Sequence, residues 1–476
     1  VHSYINWMSP FYNIFRLLLG DVPAKALNFL TFVYLARVLG VANYGVLEFA
    51  LSILSYFLLL ADGGLELWAT REAARGYAVR HLAARVIPLR FLLATFSFGA
   101  LLLLLPVLPD YPALTSILLL FGFTLFAQAA SLKWVFLGNE TMGRVGGGLA
   151  LAQILFAAAV FGLVDGPTDL LWIPALRLFA DLAMAAYFLR LFVVTYGGFP
   201  WPVTLRGAST IGRPALVMGG SQGLGLLSYN FDSMFLGLLL GPTAVGLYNA
   251  AYKPVTAALA APITYYVGLF PALSRTFATS KEDFRGAVFS SLQVTTIFAL
   301  PFGIMTSVFS PQIIHLLFGP AYAGAAPALQ VLSWSAVLVT LRGTFRHGLN
   351  AAGKAHLELR CNVASVILNV TLNLLLIPRY GILGAAVATV VADVLCLITL
   401  AWYFNRHVIR VDLHSVLLRP LAASGLMVGC MALLQSSFWG LRAMIGAVAY
   451  VATMLLLNGT RVPGLETSWP AGVRGK

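Results

Sequence analysis

Runs of about 20 consecutive apolar residues recur along the whole of this 476-residue chain, and no other feature limits its fold as strongly. A helix of that length crosses the hydrocarbon of a bilayer, and it satisfies its own backbone polar groups while doing so. About fourteen such stretches are legible, near residues 11–36, 44–66, 86–108, 113–137, 145–164, 170–195, 214–240, 245–272, 286–310, 323–350, 357–377, 382–405, 415–436 and 440–458. A twelve-helix alternative merges or drops the last pair. Several stretches exceed the length needed to cross, which leaves room for tilt or bending. Composition agrees: 60% of residues are hydrophobic and 10% charged, where a soluble domain carries about 25% charged. The expectation is an all-α polytopic membrane protein with almost no mass outside the bilayer. The N-terminus lacks the basic–apolar–small order of a cleaved signal, so the first stretch is expected to remain a helix. Residues 461–476 read as a short cytoplasmic tail.

The net charge of +13 would suit a nucleic-acid partner if it were clustered, but it alternates from loop to loop. One set of loops holds Arg71, Arg75, Arg80 and Arg85; Arg144; Arg190, Arg206 and Arg213; and Arg275, Lys281 and Arg285. The same set continues with Arg342, Arg346, Lys354 and Arg360, then Arg406, Arg410 and Arg419. The intervening loops carry only Arg37, Arg379 and Arg442, with Asp110, Asp165 and Asp169. This is the positive-inside pattern. It implies a multi-pass protein of the inner (cytoplasmic) membrane, an even number of spans, and both termini in the cytoplasm. Anionic headgroups of membrane lipids can share the basic excess, and no nucleic-acid partner is expected. The outer loops, such as Pro109–Pro112 and Gly241–Ala244, are too short for an external catalytic domain.

No metal or other cofactor is expected. Cys361, Cys396 and Cys430 fall in separate helices and read as small packing residues. His81, His347, His356, His407 and His414 are read as inner-loop residues without metal-ligand spacing, and no phosphate-cradling G-x-x-x-x-G-K-[ST] loop is present.

An offset of 201 residues uncovers a weak internal repeat. Leu35–Gly40 then lies over Leu236–Gly241, Gly45 over Gly246, and Ala50 over Ala251. Each copy is the exit of one helix, a glycine turn and the start of the next. The same offset brings the breaker Pro23 close to Gly223 and Gly225, both of which weaken a helix. Six helices separate the copies, so the halves are expected to be parallel repeats about an axis along the membrane normal, as in many transporters.

Several segments resemble the polysaccharide flippases of the Wzx, or polysaccharide transport, type within the multidrug/oligosaccharidyl-lipid/polysaccharide exporter superfamily. Leu35-Ala-Arg-Val-Leu-Gly40 with Tyr44-Gly45 is similar to the family's "LAR-LG---YG" segment, and Asp62-Gly63-Gly64-Leu65 to its "D-GL". Trp134-Val-Phe-Leu-Gly138 with Glu140 and Met142 resembles "W-FQG-E-M", with Leu137 where glutamine is usual. Asn230-Phe-Asp232, then Val245-Gly246-Leu-Tyr248-Asn249-Ala-Ala-Tyr252-Lys253, resembles "N-D---LG…VG-YNAAYK", and Tyr380-Gly381 resembles "YGI-GAA". The resemblance implies two six-helix lobes, residues 1–200 and 201–410, related by a pseudo-two-fold axis, and two additional helices at 411–460. It implies a flippase, not an enzyme, that carries undecaprenyl-pyrophosphate-linked oligosaccharide for O-antigen or exopolysaccharide synthesis. Polysaccharide polymerase and chain-length proteins would be its partners.

A charge at the bilayer centre costs about 2.5–3.5 kcal/mol, so embedded charges usually face protein or water. Helix one carries Arg16, Asp21 and Lys25; helix six carries Arg177 and Asp181; Asp232, Lys253 and Asp393 follow. Within the family resemblance these form a polar cavity whose cations meet pyrophosphate. Lys25, beside Pro23, is the foremost cavity cation. Arg177–Asp181 reads equally as a structural ion pair, and Asp232 and Lys253 as groups that lock helices together. Arg16, Lys133, Asp62 and Glu66 read as interfacial. Tyr229, Tyr248, Tyr252 and Trp334 are candidates to stack on sugars. Alternating access by rocking lobes would bend helix one at Pro23 and helix seven near Gly219, Gly220, Gly223 and Gly225. The rival readings are a lipid II flippase or cation-coupled drug antiporter of the same superfamily, a membrane-embedded polymerase or ligase, and a channel or scaffold.

Overall fold

The computed structural model describes residues 2–198, 203–205, 208–435 and 437–458, with side chains from Pro23 onward except at 208–209, 221–222, 224–229, 413, 415 and 458. All regular structure among these residues is helical. Eleven helical segments are long and apolar enough to cross a membrane. Two of these are merged pairs, interrupted at Gly40 (φ 75°, ψ 170°) and at Gly381 (φ 57°, ψ −135°). Separating them and adding the 33-residue helix Ala208–Leu240 brings the eleven to fourteen.

These fourteen are α1 (2–39), α2 (41–62), α3 (Val79–Leu104), α4 (Leu114–Gly138), α5 (Met142–Leu163), α6 (Trp172–Tyr196) and α7 (Ala208–Leu240). They continue as α8 (Pro242–Thr279), α9 (Lys281–Val308), α10 (Ala326–Ala351), α11 (355–380), α12 (382–407), α13 (Leu413–Leu433) and α14 (Trp439–Asn458). Two are not continuous. α4 runs in three pieces, with Ser131 extended before the last, and α8 is broken at Leu259. The short helix Leu65–Ala74 follows the Gly63-Gly64 turn after α2.

The chain forms two compact units, Val1–Ala250 and Ala251–Lys476. The first has a core of Trp134, Phe136, Phe188 and Phe192, where Phe136 and Phe188 stack at 5.7 Å. The second has a core around Phe284, Phe345 and Phe404 that also holds the free thiols Cys361 and Cys396. α13 and α14 dock on α9 in the second unit. Met427, Met431 and Tyr450 meet Ile304 and Phe309, and the Tyr450 hydroxyl donates to the Ile297 carbonyl at 2.8 Å.

Between helices in lipid the hydrophobic effect is weak, so close van der Waals approach must hold them, and small residues permit it. The repeat supplies such residues. Gly40 and Gly241 both take positive φ, 75° and 85°, and each turns the chain from one span into the next. A Cβ on Gly45 would lie 1.8 Å from the Pro242 carbonyl oxygen, and one on Gly246 would lie 2.3 Å from that of Val41. The offset of 201 converts Val41 into Pro242 and Gly45 into Gly246. The two contacts are therefore one contact with its partners exchanged, as across a two-fold interface.

Many of the residues assigned to inner loops from the sequence lie inside helices instead, most of them near a helix end. Arg342, Arg346 and His347 lie within α10, which runs to Ala351. Their polarity marked them as loop residues, but partners in neighbouring helices satisfy them there.

Candidate translocation site

Arg177 and Asp181 face each other one turn apart on α6, with Nε 3.2 Å from Oδ1. That contact is an ion pair without hydrogen-bond alignment, since Oδ1 has no aligned donor. Gln128 of α4 is within hydrogen-bonding reach of the same carboxylate. The Arg177 guanidinium lies 5.5 Å over the Phe156 ring of α5, a cation–π arrangement that favours a cation in apolar surroundings. The pair borders a cavity of about 150 Å³ whose other walls include Phe32 of α1, Leu47 of α2 and Thr124 of α4. Asp181 is buried, whereas the Arg177 side chain is 35% exposed. The geometry is a tethered cation with its own counter-ion, at an opening inside the first unit.

The other expected site residues are placed differently. Lys25 is exposed on α1, as is Pro23. Helical backbone runs through Pro23 in this conformation, and the interruption falls at Gly40. Arg16 and Asp21 lie on α1, but their side chains are outside the described residues. Asp232 is buried and accepts a 2.6 Å hydrogen bond from the Tyr248 hydroxyl, while Asn249 donates to Ser233 at 3.0 Å. The two halves of the "N-D…YNAAYK" segment thus clasp α7 to the start of α8. Tyr248 is fully buried, so its ring is not open to stack on a sugar. Trp334 is 38% exposed; Tyr252 and Lys253 are half-buried on α8. The side chain of Tyr229 lies outside the described residues.

Helix α7 is continuous through Gly219, Gly220, Gly223 and Gly225. Gly219 has a packing role: a Cβ there would lie 2.7 Å from the Gly64 backbone nitrogen. A Cβ on Gly223 would meet Leu59 at 2.9 Å, and one on Gly220 would meet open space.

Three charged networks were not assembled from the sequence. In the first unit Arg90 of α3 is 3% exposed and reaches Asp62 at 3.5 Å, Glu66 at 3.6 Å and the Ser131 carbonyl at 2.9 Å. Lys133 closes this network on Glu66 at 2.7 Å. Burial alone would raise the Glu66 carboxyl, but Lys133 and Arg90 outweigh it and hold the group below its ordinary value. In the second unit Arg342 meets Asp393 at 2.8 Å, and Arg346 meets Glu358 at 2.5 Å, where Asn350 also donates at 2.7 Å. The signal available was the presence of acids and bases in apolar helices; their partners lie on other helices.

The model of the family described as polysaccharide biosynthesis protein matches residues 11–277, and the MatE model matches residues 219–375. A protein of Escherichia coli K12, provisionally named an O-antigen transporter, is 23% identical over 385 residues, covering 78% of this chain and 91% of that protein. A protein of Haloferax volcanii, provisionally named a low-salt glycan biosynthesis flippase, is 27% identical over 180 residues, 37% of this chain. The stretches matched in the archaeal relatives span 38% of those proteins' length. Among solved structures, an inward-closed lipid II flippase MurJ is similar with a TM-score of 0.74 at 12% identity, over 93% of this chain and 98% of that one. That likeness establishes the all-helical transporter fold.

Proposed function

Because this chain belongs to the polysaccharide biosynthesis protein family and carries many apolar helices long enough to cross a membrane, we propose that it flips lipid-linked oligosaccharide between the leaflets of the inner membrane. The cargo is an undecaprenyl-pyrophosphate-linked repeat unit for O-antigen or exopolysaccharide synthesis. Relatives named as an O-antigen transporter and a glycan flippase support this reading.

The observation that carries it is the Arg177–Asp181 pair at the wall of a cavity within a helical body. A guanidinium presents paired donors that fit phosphate oxygens, and a neighbouring acid keeps it neutralised until cargo arrives. The polyprenyl tail stays in hydrocarbon while the headgroup crosses between six-helix lobes, residues 1–200 and 201–410, with Lys25 and Lys253 adding positive charge. The lobes rock about Pro23 and the glycines Gly219–Gly225, both termini face the cytoplasm, and polymerase and chain-length proteins take the product outside.

The test is deletion of the gene in its native host with analysis of lipid-linked intermediates, followed by Arg177→Ala. Deletion should leave undecaprenyl-linked repeat units accumulated on the cytoplasmic side. Arg177→Ala should lower surface polysaccharide about ten- to hundredfold at unchanged protein level, the loss expected of one bond to a charged group. Accumulation of lipid II in place of the oligosaccharide intermediate would sink the proposal in favour of a cell-wall precursor flippase.

A further inference from the structure

The Arg342–Asp393 pair has no role in the mechanism above, and its surroundings are unusual for a structural brace. Arg342 Nη1 lies 2.8 Å from Asp393 Oδ1, and the Ser335 hydroxyl donates a short hydrogen bond to Oδ2. The Asp393 side chain is 11% exposed, but that of Arg342 is 26% exposed. The carboxylate is nearly closed off, while part of the longer Arg342 side chain stays accessible. Tyr252 from α8, Ser335 from α10 and Cys396 one turn along α12 act on the pair, and behind Cys396 stand Cys361 and Asn362 of α11. All of these are uncharged at neutral pH. Within the set, Arg342 is the cation that balances Asp393.

The same arrangement suits an anion receptor with an internal counter-ion. An arginine has five N–H donors and prefers two oxygens held side by side, as phosphate presents them. If such an anion draws the guanidinium away, Asp393 is left buried without a cation. A buried carboxylate in that position neutralises by taking up a proton. Ser335 fits both states, because a hydroxyl can donate to the carboxylate or accept from the carboxylic acid.

We propose that Arg342 receives a phosphate of the cargo within the second unit, and that Asp393, released from it, binds one proton from water. Anion loading and proton uptake are then linked one to one, and no bond is made or broken apart from that O–H. This rests on the lipid-linked cargo proposed above. Half-buried Lys253, adjacent in sequence to Tyr252, adds positive charge near the same helix.

The test uses the purified full chain in weakly buffered detergent, titrated with geranyl pyrophosphate while pH is recorded. Comparison with Asp393→Asn cancels any proton that the pyrophosphate itself gains or loses. The wild-type protein should take up one more proton per molecule bound than the Asn variant. Its affinity should weaken about tenfold per pH unit through the neutral range, while that of Asp393→Asn stays flat and at least as tight. Arg342→Ala should bind about ten- to hundredfold more weakly, with partial recovery in Arg342→Lys. Equal proton uptake in wild type and Asp393→Asn, unchanged binding in Arg342→Ala, or binding that requires sodium without a pH change would each overturn the inference.

A brace is separated from a receptor by the neutral double variant Arg342→Gln/Asp393→Asn. Removing both charges together is often tolerated structurally. The double variant should therefore melt near the wild-type temperature yet fail to export polysaccharide; wild-type export by it would also overturn the inference. Export retained by the Arg342 variants leaves the flippase reading standing, whereas a deletion strain with unchanged lipid-linked intermediates removes that reading and not the binding result.

Discussion

Arg90 sits 3% exposed inside α3, and a buried cation there is tolerated because Asp62, Glu66 and the Ser131 carbonyl surround it. Arg90→Ala would leave Glu66 with Lys133 alone and take from Asp62 its guanidinium partner. The expected cost is about 3–5 kcal/mol, the range for breaking a buried pair from one side, read as a lower melting temperature and reduced membrane abundance. Glu66 adds a pH dependence. Its folded value is depressed, so its stabilising contribution is complete above the ordinary carboxylate value of about 4 and is lost as pH falls through the folded one. Melting curves at descending pH should show an acid-side loss of stability that is smaller in Glu66→Gln; identical acid profiles would refute the role. The sequence marked Asp62, Glu66 and Lys133 as near-interface charges. It did not reveal that they converge on Arg90, because a single arginine in a long apolar helix looks the same whether it snorkels or is caged.

At the scale of helices, the reciprocal contact of α2 with α8 is the most informative feature. Gly45 and Gly246 let two backbones touch, and a methyl group on either would overlap a carbonyl oxygen of the other helix. Gly45→Ala or Gly246→Ala should destabilise this conformation by about 1–3 kcal/mol, the usual cost of overpacking. Gly99→Ala in α3 is the control, because a Cβ there meets nothing within 4 Å. It should be neutral or slightly stabilising, since alanine is the better helix former. Equal melting temperatures for all three variants would remove the packing argument. The repeat itself was legible from Gly40/Gly241 and Gly45/Gly246. That the repeated glycines touch each other was not, since a sequence offset says which residues are equivalent and not which are adjacent. Gly219 carries the same lesson: read as a bending point, it also seats α7 on the Gly64 backbone at a distance that admits no side chain.

Across the whole molecule, the alternating basic loops predict an orientation that impermeant thiol reagents can check. In a background with the native cysteines replaced, Asp110→Cys should label from outside intact cells and Lys281→Cys only after lysis; the reverse pattern would invert the proposed topology. The all-helical class and the approximate positions of the spans followed from the sequence, which left twelve and fourteen spans both open, for a simple reason. In hydrocarbon each span must satisfy its own backbone, so a local count of apolar residues decides where helices lie. Gly40 and Gly381, where two spans run on almost without a break, show how little beyond that local rule was needed. Which charges meet was decided only by the tertiary structure. Asp181 pairs within its own helix, a spacing of four that sequence displays. Asp393 pairs with Arg342 across 51 positions, and Arg90 with Asp62 and Glu66 across two turns of chain direction. Such partners are chosen by helix packing, where a few ångströms separate a caged ion pair from two stranded charges, and one-dimensional spacing holds no record of that distance.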